Sequence, residues 1–152
     1  MIQFPIARTT LLSLALASLL GLGACSAPSR MPESTALSAR LSGTSEVPPT
    51  ATNGSGSVDA HLNRNTNVFR WTITYEGLTG PATAGHFHGP AAVGQNAGVA
   101  LPLSGSLASP IRGSITLTAA QASDLMAGRW YLNLHTAAHP GGEIRGQVTG
   151  RN

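Results

Sequence analysis

A strict alternation of apolar and polar side chains is the sequence feature that most limits what this chain can fold into. It runs from residue 69 to residue 76 as Phe-Arg-Trp-Thr-Ile-Thr-Tyr-Glu. Successive side chains of a β-strand point to opposite faces, so this pattern predicts a strand with one face in a core and the other in solvent. We expect it to be the central strand of that core.

Similar alternating runs recur along the chain, separated by turn-forming residues. They span residues 36–41, 58–62, 99–103, 111–117 and 130–148, the last of these read as a hairpin. Charged residues make up only 10% of the chain and glycine is abundant, a composition that disordered segments can also have. Alternation between turns instead predicts an all-β domain.

One short helix is predicted within this β pattern, over residues 119–127. Thr118 and Gln121 have the spacing of a capping box, in which each side chain accepts a hydrogen bond from the other residue's backbone N–H. A helix this short needs packing partners to be stable, and Leu125 and Met126 are expected to supply them.

The first 24 residues are predicted to be a lipoprotein signal peptide. Arg8 precedes an apolar run, residues 11–22, that is shorter than the roughly 20 residues a membrane-spanning helix needs. The tetrapeptide Leu-Gly-Ala-Cys that ends at Cys25 resembles a bacterial lipobox, whose cysteine is acylated and becomes the first mature residue. The alternative is an ordinary secretory signal with an incidental cysteine.

The lipobox resemblance implies a cellular location for the protein and a division of its chain into a tether and a folded domain. Residues 25–35 would be the acylated cysteine and a flexible tether, and residues 36–150 the folded domain. Ser26, rather than aspartate, follows the cysteine, which implies an outer-membrane lipoprotein facing the periplasm or the cell surface. The predicted partner is therefore a membrane, reached through the lipid anchor.

Charge and cysteine content exclude several functions. The chain has nine Lys plus Arg residues, six Asp plus Glu and a formal net charge of +3, too weak and too scattered for a nucleic-acid surface. Cys25 is the only cysteine, so once it carries lipid no thiol remains for a disulfide or a metal site. Metal ligands must then be histidine, carboxylate or amide groups.

Four of the five histidines lie in two short segments. His86 and His88 are two residues apart, so on a strand they share a face, and Phe87 between them points to the core. His135 and His139 lie near the C-terminus, His135 on the polar face of its strand. The fifth, at position 61, alternates with apolar residues and is expected at the surface.

The C-terminal hairpin has a predicted register. If its loop is symmetric about residues 138–140, the opposed polar pairs are His135 with Glu143, Asn133 with Arg145, and Tyr131 with Gln147. A slip of one residue would place the arginine against the core, which makes other registers unfavourable.

Four ordered motifs resemble the CHRD domain, a family named for its repeats in chordin and found singly in bacterial exported proteins. The motifs are Glu46-Val-Pro-Pro, Tyr75-Glu-Gly-Leu-Thr-Gly, Ala84-Gly-His-Phe-His-Gly-Pro and the segment 131–148. The resemblance implies an all-β, Greek-key-like sandwich or barrel, distantly similar to the copper/zinc superoxide dismutase fold. It implies no settled biochemical role, and in the family other residues can occupy position 139.

The histidines suggest a metal site. His86, His88 and His135 would be ligands, with His139 an optional fourth. Imidazole sites without thiolate suit Cu(II), zinc or nickel, and the Irving–Williams order favours copper, with zinc as the alternative. A His-x-His strand plus a distant histidine also resembles the copper half of the dismutase site.

Polar residues of the hairpin would support such an ion. Glu143 is expected to orient His135 through its second nitrogen. Asn133 and Arg145 would form a polar ladder beside it. The predicted function is an exported lipoprotein that sequesters or buffers a copper-type ion without turnover.

Three alternatives remain open at the level of sequence. In the first, the histidines bond loop carbonyls, Arg145 pairs with Glu143 or Glu76, and the glycines lock turns. In the second, the protein is a copper-dependent redox enzyme, although the mature aspartates, Asp59 and Asp124, lie outside the histidine motifs. In the third, it is an interaction module, for which Tyr131 is the aromatic residue off the core face.

Overall fold

The computed structural model describes residue 1 and residues 33–151, and the domain within them is built from strands. The strands are β1 Ser34–Ser42, β2 Ser55–Asn63, β3 Val68–Glu76, β4 Ala84–His88, β5 Val99–Pro102, β6 Ile111–Thr116, β7 Trp130–His135 and β8 Ile144–Gly150. A 3-10 turn at Gly43–Ser45 follows β1, and helix α1 spans Ala119–Met126. The predicted signal peptide after its first residue, Cys25 and most of the tether lie outside the described residues.

The eight strands form one antiparallel sheet in the order β5-β4-β7-β8-β1-β2-β3-β6. The sheet curls into a half-barrel, so the all-β prediction with one short helix is confirmed. No helix in the described part of the chain has the length and apolar character that crossing a membrane requires.

The core lies on the concave face of this sheet and has an aromatic centre. Phe69 and Phe87 are fully buried, as the alternation predicted, with ring centroids 5.3 Å apart in an edge-to-face contact. Trp71 and Trp130 pack around them. The predicted central position of β3 is wrong, because β3 lies beside the edge strand β6. Alternation along a strand indicates its buried face and carries no information about its neighbours.

Helix α1 begins with the predicted capping box. Thr118 Oγ1 accepts from the Gln121 N–H at 3.2 Å, and Gln121 Oε1 accepts from the Thr118 N–H at 3.0 Å. Ala122 and Leu125 form its buried face. Met126, the last helical residue, is 39% exposed and does not belong to this buried face.

Strands β4, β7 and β8 place the predicted site residues on one face of the sheet. The register pairs His86 with Asn133, His88 with Tyr131, Tyr131 with Gln147, and Asn133 with Arg145. The last two pairs confirm the predicted hairpin register. The β7–β8 ladder ends at Leu134 and Ile144, one residue before the predicted pair of His135 with Glu143.

Candidate metal centre

Three histidines from β4 and β7 converge on the polar face of the sheet. His86, His88 and His135 each offer one ring nitrogen, and these nitrogens all lie within 4.8 Å of one another. Within this set, His86 Nδ1 and His135 Nε2 are separated by 3.1 Å. The two sequence segments that carry the histidines therefore meet, as the sequence predicted.

Backbone carbonyls fix two of the three imidazoles. His88 Nδ1 lies 3.0 Å from Ala97 O, and His135 Nδ1 lies 2.9 Å from Pro140 O. A carbonyl can only accept, so each Nδ1 carries the hydrogen and each neutral ring keeps an unprotonated Nε2. The tautomers are thereby set so that both Nε2 atoms are acceptors, and His135 Nε2 can take either a hydrogen from His86 Nδ1, 3.1 Å away, or a metal ion.

The surroundings of the cluster favour neutral imidazoles. Burial lowers the pKa of His86, and the positive charges that His135 and His88 would carry lower it further. Burial also lowers the pKa of His135, outweighing the opposite effect of its hydrogen bond to Pro140 O. A lowered histidine pKa extends the neutral form to lower pH, and the neutral form is the one that binds metals.

Asn133 lies beside the cluster and contacts two of its three rings. Its side chain is buried, at 4% exposure. Its Oδ1 is 3.0 Å from His88 Nε2 and 3.0 Å from His135 Nε2. The sequence assigned Asn133 a place in the polar ladder, and the structure brings it into direct contact with two of the three imidazoles.

Tyr131 supports the cluster from one side. His88 stacks on its ring with centroids 4.8 Å apart and planes 3° from parallel. The Arg145 guanidinium carbon lies 3.4 Å from the same ring centroid. These neighbours leave Tyr131 only 3% exposed. Tyr131 is therefore off the core face, as predicted, but it does not form an exposed aromatic surface.

Arg145 is buried at 2% exposure and is held by a loop. It donates to Asn96 Oδ1 at 2.8 Å and to Gln95 O at 2.6 Å. The pairing of Arg145 with Glu143 or Glu76 that the sequence suggested is absent. Residues 95 and 96 belong to the β4–β5 connection, for which the sequence pattern predicts no strand or helix.

Glu143 does not orient His135, contrary to the sequence prediction. Its buried carboxylate accepts from Thr52 Oγ1 at 2.7 Å, from Thr136 Oγ1 at 2.6 Å, and from the Thr79 N–H and Oγ1 at 2.8 and 2.7 Å. Burial alone would raise the pKa of Glu143, but the hydrogen bonds from the three threonines outweigh it and lower the pKa to about 2. Glu143 is therefore an ionised group that ties loops together.

The other two histidines lie apart from the cluster. His139 is outside the group whose nitrogens converge. Its backbone N–H donates within the hairpin loop, to Thr136 O at 3.1 Å. His61 is exposed on β2, with its Nε2 3.7 Å from Asp59 Oδ1, which confirms its predicted surface position.

Glu46 is the site residue that the sequence pattern missed. It is only 6% exposed and lies against Asn133 and Arg145. Burial raises its pKa, while the charge of Arg145, the Val47 N–H and the Asn133 amide oppose that rise. The available signal was an acidic residue inside the Glu-Val-Pro-Pro motif, one of the four motifs that carry the family resemblance.

Comparison with known proteins gives one match. A family model described as CHRD domain matches residues 37–148. No curated protein and no solved structure matches significantly. The similarity to the dismutase fold therefore stays a prediction.

Proposed function

This chain belongs to the CHRD domain family, and on that premise we propose that it holds a copper-type metal ion at His86, His88 and His135. The observation that carries the proposal is the convergence of the three ring nitrogens within 4.8 Å. Histidines that contribute only packing are not expected to direct their ring nitrogens to a common point.

The spacing of the nitrogens suits coordination by a small ion. Ligands about 2.0–2.1 Å from a tetrahedral metal lie roughly 3.3–3.4 Å from one another. His86 Nδ1 and His135 Nε2, at 3.1 Å, are already near that separation. The three nitrogens as a set lie within 4.8 Å of one another, so the side chains must draw together for all three to coordinate one ion.

The choice of metal follows from the donor atoms. An imidazole-rich site without thiolate binds Cu(II) more tightly than zinc or nickel when nothing else selects, so copper is the proposed ion and zinc the alternative. The buried surroundings of His135, at 9% exposure, favour retention over rapid exchange. We therefore propose sequestration or buffering.

Catalysis is not part of the proposed function. The aspartates of the described residues are engaged elsewhere, Asp59 with Arg151 at 2.9 Å and Asp124 with Arg129. A superoxide dismutation assay on the copper-loaded protein tests this point. Activity well above that of the same concentration of free copper would reclassify the protein as a redox enzyme.

The proposed location is the bacterial envelope, with Cys25 acylated and the domain outside the cytoplasm. Support comes from the lipobox-like sequence before Cys25. An exported site meets metal ions without competition from cytosolic thiols, and the mature chain contributes none of its own.

The deciding experiment is a titration of the tag-free chain from Ser26 onward with Cu(II) and with Zn(II). Isothermal calorimetry should show one ion per chain, and electron paramagnetic resonance of the copper form should show nitrogen ligands. The variants His86→Ala and His135→Ala should each lose binding, whereas the exposed control His61→Ala should keep it. Absence of stoichiometric binding in the unmodified chain would refute the metal proposal.

A structural role for the histidines is the second candidate. The bonds from His88 to Ala97 O and from His135 to Pro140 O favour it, because they tie two loops to the sheet. If no metal binds, these bonds should still stabilise the domain. Replacement of His88 by Ala should then cost about 1 kcal/mol in urea unfolding, against no measurable cost for His61→Ala.

A further inference from the structure

Asn133 and its two imidazole neighbours have a mismatch of hydrogen-bonding groups. His88 and His135 use their N–H groups on carbonyls, so each presents an Nε2 lone pair to Asn133 Oδ1, at 3.0 Å in both cases. Oδ1 is itself an acceptor. His135 Nε2 can also accept from His86 Nδ1 at 3.1 Å, but no hydrogen lies between Asn133 Oδ1 and either Nε2. Facing acceptors of this kind are unfavourable for a buried group and favourable around a cation.

Turning the amide over would move the mismatch from the histidines to Glu46. Asn133 Nδ2 lies on the side of Gly142 and Glu46, and its contact with the Glu46 carboxylate lowers the pKa that burial raises. In the reversed orientation Oδ1 would face this carboxylate. Glu46 Oε1 is buried and makes no hydrogen bond of standard geometry, so it retains capacity to attract the amide nitrogen.

Gly142 leaves the space in which these two side chains meet. A Cβ at this position would be 2.8 Å from Asn133 Nδ2 and would collide with Glu46 Oε1. Gly142 also has φ +127°, a backbone conformation that other residues rarely adopt. The absence of a side chain at Gly142 therefore leaves the space in which Glu46 lies against the Asn133 amide.

We propose that Asn133 Oδ1 is the fourth ligand of the metal ion and that Glu46 is the positioning residue that directs it. This inference rests on the proposed function, because it adds a ligand to the ion held by His86, His88 and His135. Four protein ligands make a closed site of the kind that proteins use to retain a metal, whereas catalytic sites keep a position open. The set of three nitrogens and one oxygen thus gives the structural reason for sequestration.

The test uses the chain from Ser26 onward and Zn(II), which is diamagnetic, in nuclear magnetic resonance and calorimetry. Coordination through Oδ1 withdraws electron density from the amide, so the side-chain N–H₂ signals of Asn133 should move on zinc binding further than those of Asn65, in the β2–β3 turn. Unmoved Asn133 signals in the zinc-saturated chain would overturn the fourth-ligand assignment. This measurement needs no substitution and so does not depend on the folding of a variant.

Two substitutions test the ligand oxygen itself. Asn133→Leu keeps the approximate shape without an oxygen and should weaken zinc binding about 100-fold or more, whereas Asn133→Asp keeps an oxygen and should bind at least as tightly as the unmodified chain. Zinc affinity of Asn133→Leu within threefold of the unmodified chain would overturn the assignment while leaving the three-histidine site intact. Failure of the unmodified chain to bind would instead remove the proposed function.

The role of Glu46 is tested by a double-mutant cycle. Glu46→Leu cannot accept from the amide and should weaken zinc binding about 10–100-fold, as loss of an outer partner of a ligand typically does, while Glu46→Gln can accept and should restore it. In the Asn133→Leu background the change at position 46 should have no further effect. An equal loss in both backgrounds would show that Glu46 acts on the site by another route.

Discussion

Glu143 shows at the scale of one residue how a buried charge organises the polar side of this domain. Its carboxylate takes hydrogen bonds from Thr52, Thr79 and Thr136, which lie in three different loops. Hydrogen bonds to an ionised acceptor are stronger than neutral ones. The loops around the cluster are thereby fixed to one another through a single side chain.

This arrangement predicts a specific dependence of stability on pH. The folded pKa of Glu143, about 2, is below its ordinary value of 4.5, so its stabilisation is present above about pH 4.5 and is lost as the pH falls towards 2. The shift corresponds to about 3 kcal/mol. Urea unfolding of Glu143→Gln at pH 7 should show a loss of that order and a flatter decline between pH 4.5 and 2.

An exposed carboxylate provides the control for that experiment. Glu76 at the end of β3 is exposed, so Glu76→Gln should change the unfolding free energy at pH 7 by less than about 0.5 kcal/mol. If Glu143→Gln had the same pH profile as the unmodified domain, the stabilising role of the carboxylate would be contradicted.

Gly142 carries the second prediction at this scale. Gly142→Ala introduces a methyl group where Glu46 and Asn133 meet, and it does so at φ +127°. The free energy of unfolding should fall by about 1–3 kcal/mol through backbone strain alone, and zinc affinity should fall with it.

Gly141 is the matched control, because a Cβ at that position has nothing within 4 Å. Gly141→Ala should leave zinc affinity within threefold. Comparable losses in both variants would indicate a general sensitivity of the hairpin loop rather than a gap required beside the amide.

Single residues also show where prediction from sequence succeeded and where it failed. The meeting of His86 with His135 was predictable, because alternation placed each on a polar face and an antiparallel sheet can bring such faces together. The partners of Glu46 and Glu143 were not, because they come from loops whose paths no periodicity reports. A buried acid in a loop is identified only after the fold has placed its donors.

At the scale of elements, alternation identified the strands and their buried faces better than it identified which strands are adjacent in the sheet. Pro102 has no N–H to donate, which favours an edge position for β5, and β5 lies at one edge of the sheet. The place of β3 beside β6 did not follow, because both edge and interior strands can bury one face. Ile115 of the edge strand β6 continues the apolar alternation and is nevertheless 41% exposed. Alternation therefore did not indicate that this strand lies at the edge.

Helix α1 offers a prediction at this scale. The Thr118 side chain satisfies the Gln121 N–H, one of the donors that the first helical turn would otherwise leave open. Thr118→Ala should therefore lower the free energy of unfolding by about 1 kcal/mol. Thr118→Ser keeps the hydroxyl and should restore most of that loss in urea unfolding. An equal loss in both variants would contradict capping as the cause.

For the whole molecule, the main prediction concerns its attachment to a membrane. When the full chain is expressed in a Gram-negative host, it should incorporate labelled fatty acid and fractionate with membranes, because Cys25 is proposed to be acylated. Cys25→Ser should abolish the label. Ser26→Asp should keep the label but should not reach the outer membrane. Fatty acid incorporation that persists in Cys25→Ser would disprove the anchor.

The position of β8 in the sheet has a consequence for when the domain can form during synthesis. β8, Ile144–Gly150, follows the other seven described strands along the chain, yet it lies between β7 and β1 and joins the group β5-β4-β7 to the group β1-β2-β3-β6. A nascent chain that ends before residue 144 cannot unite these groups, and such long-range strand pairing forms late. The domain consequently cannot close until residues 144–150 have been synthesised.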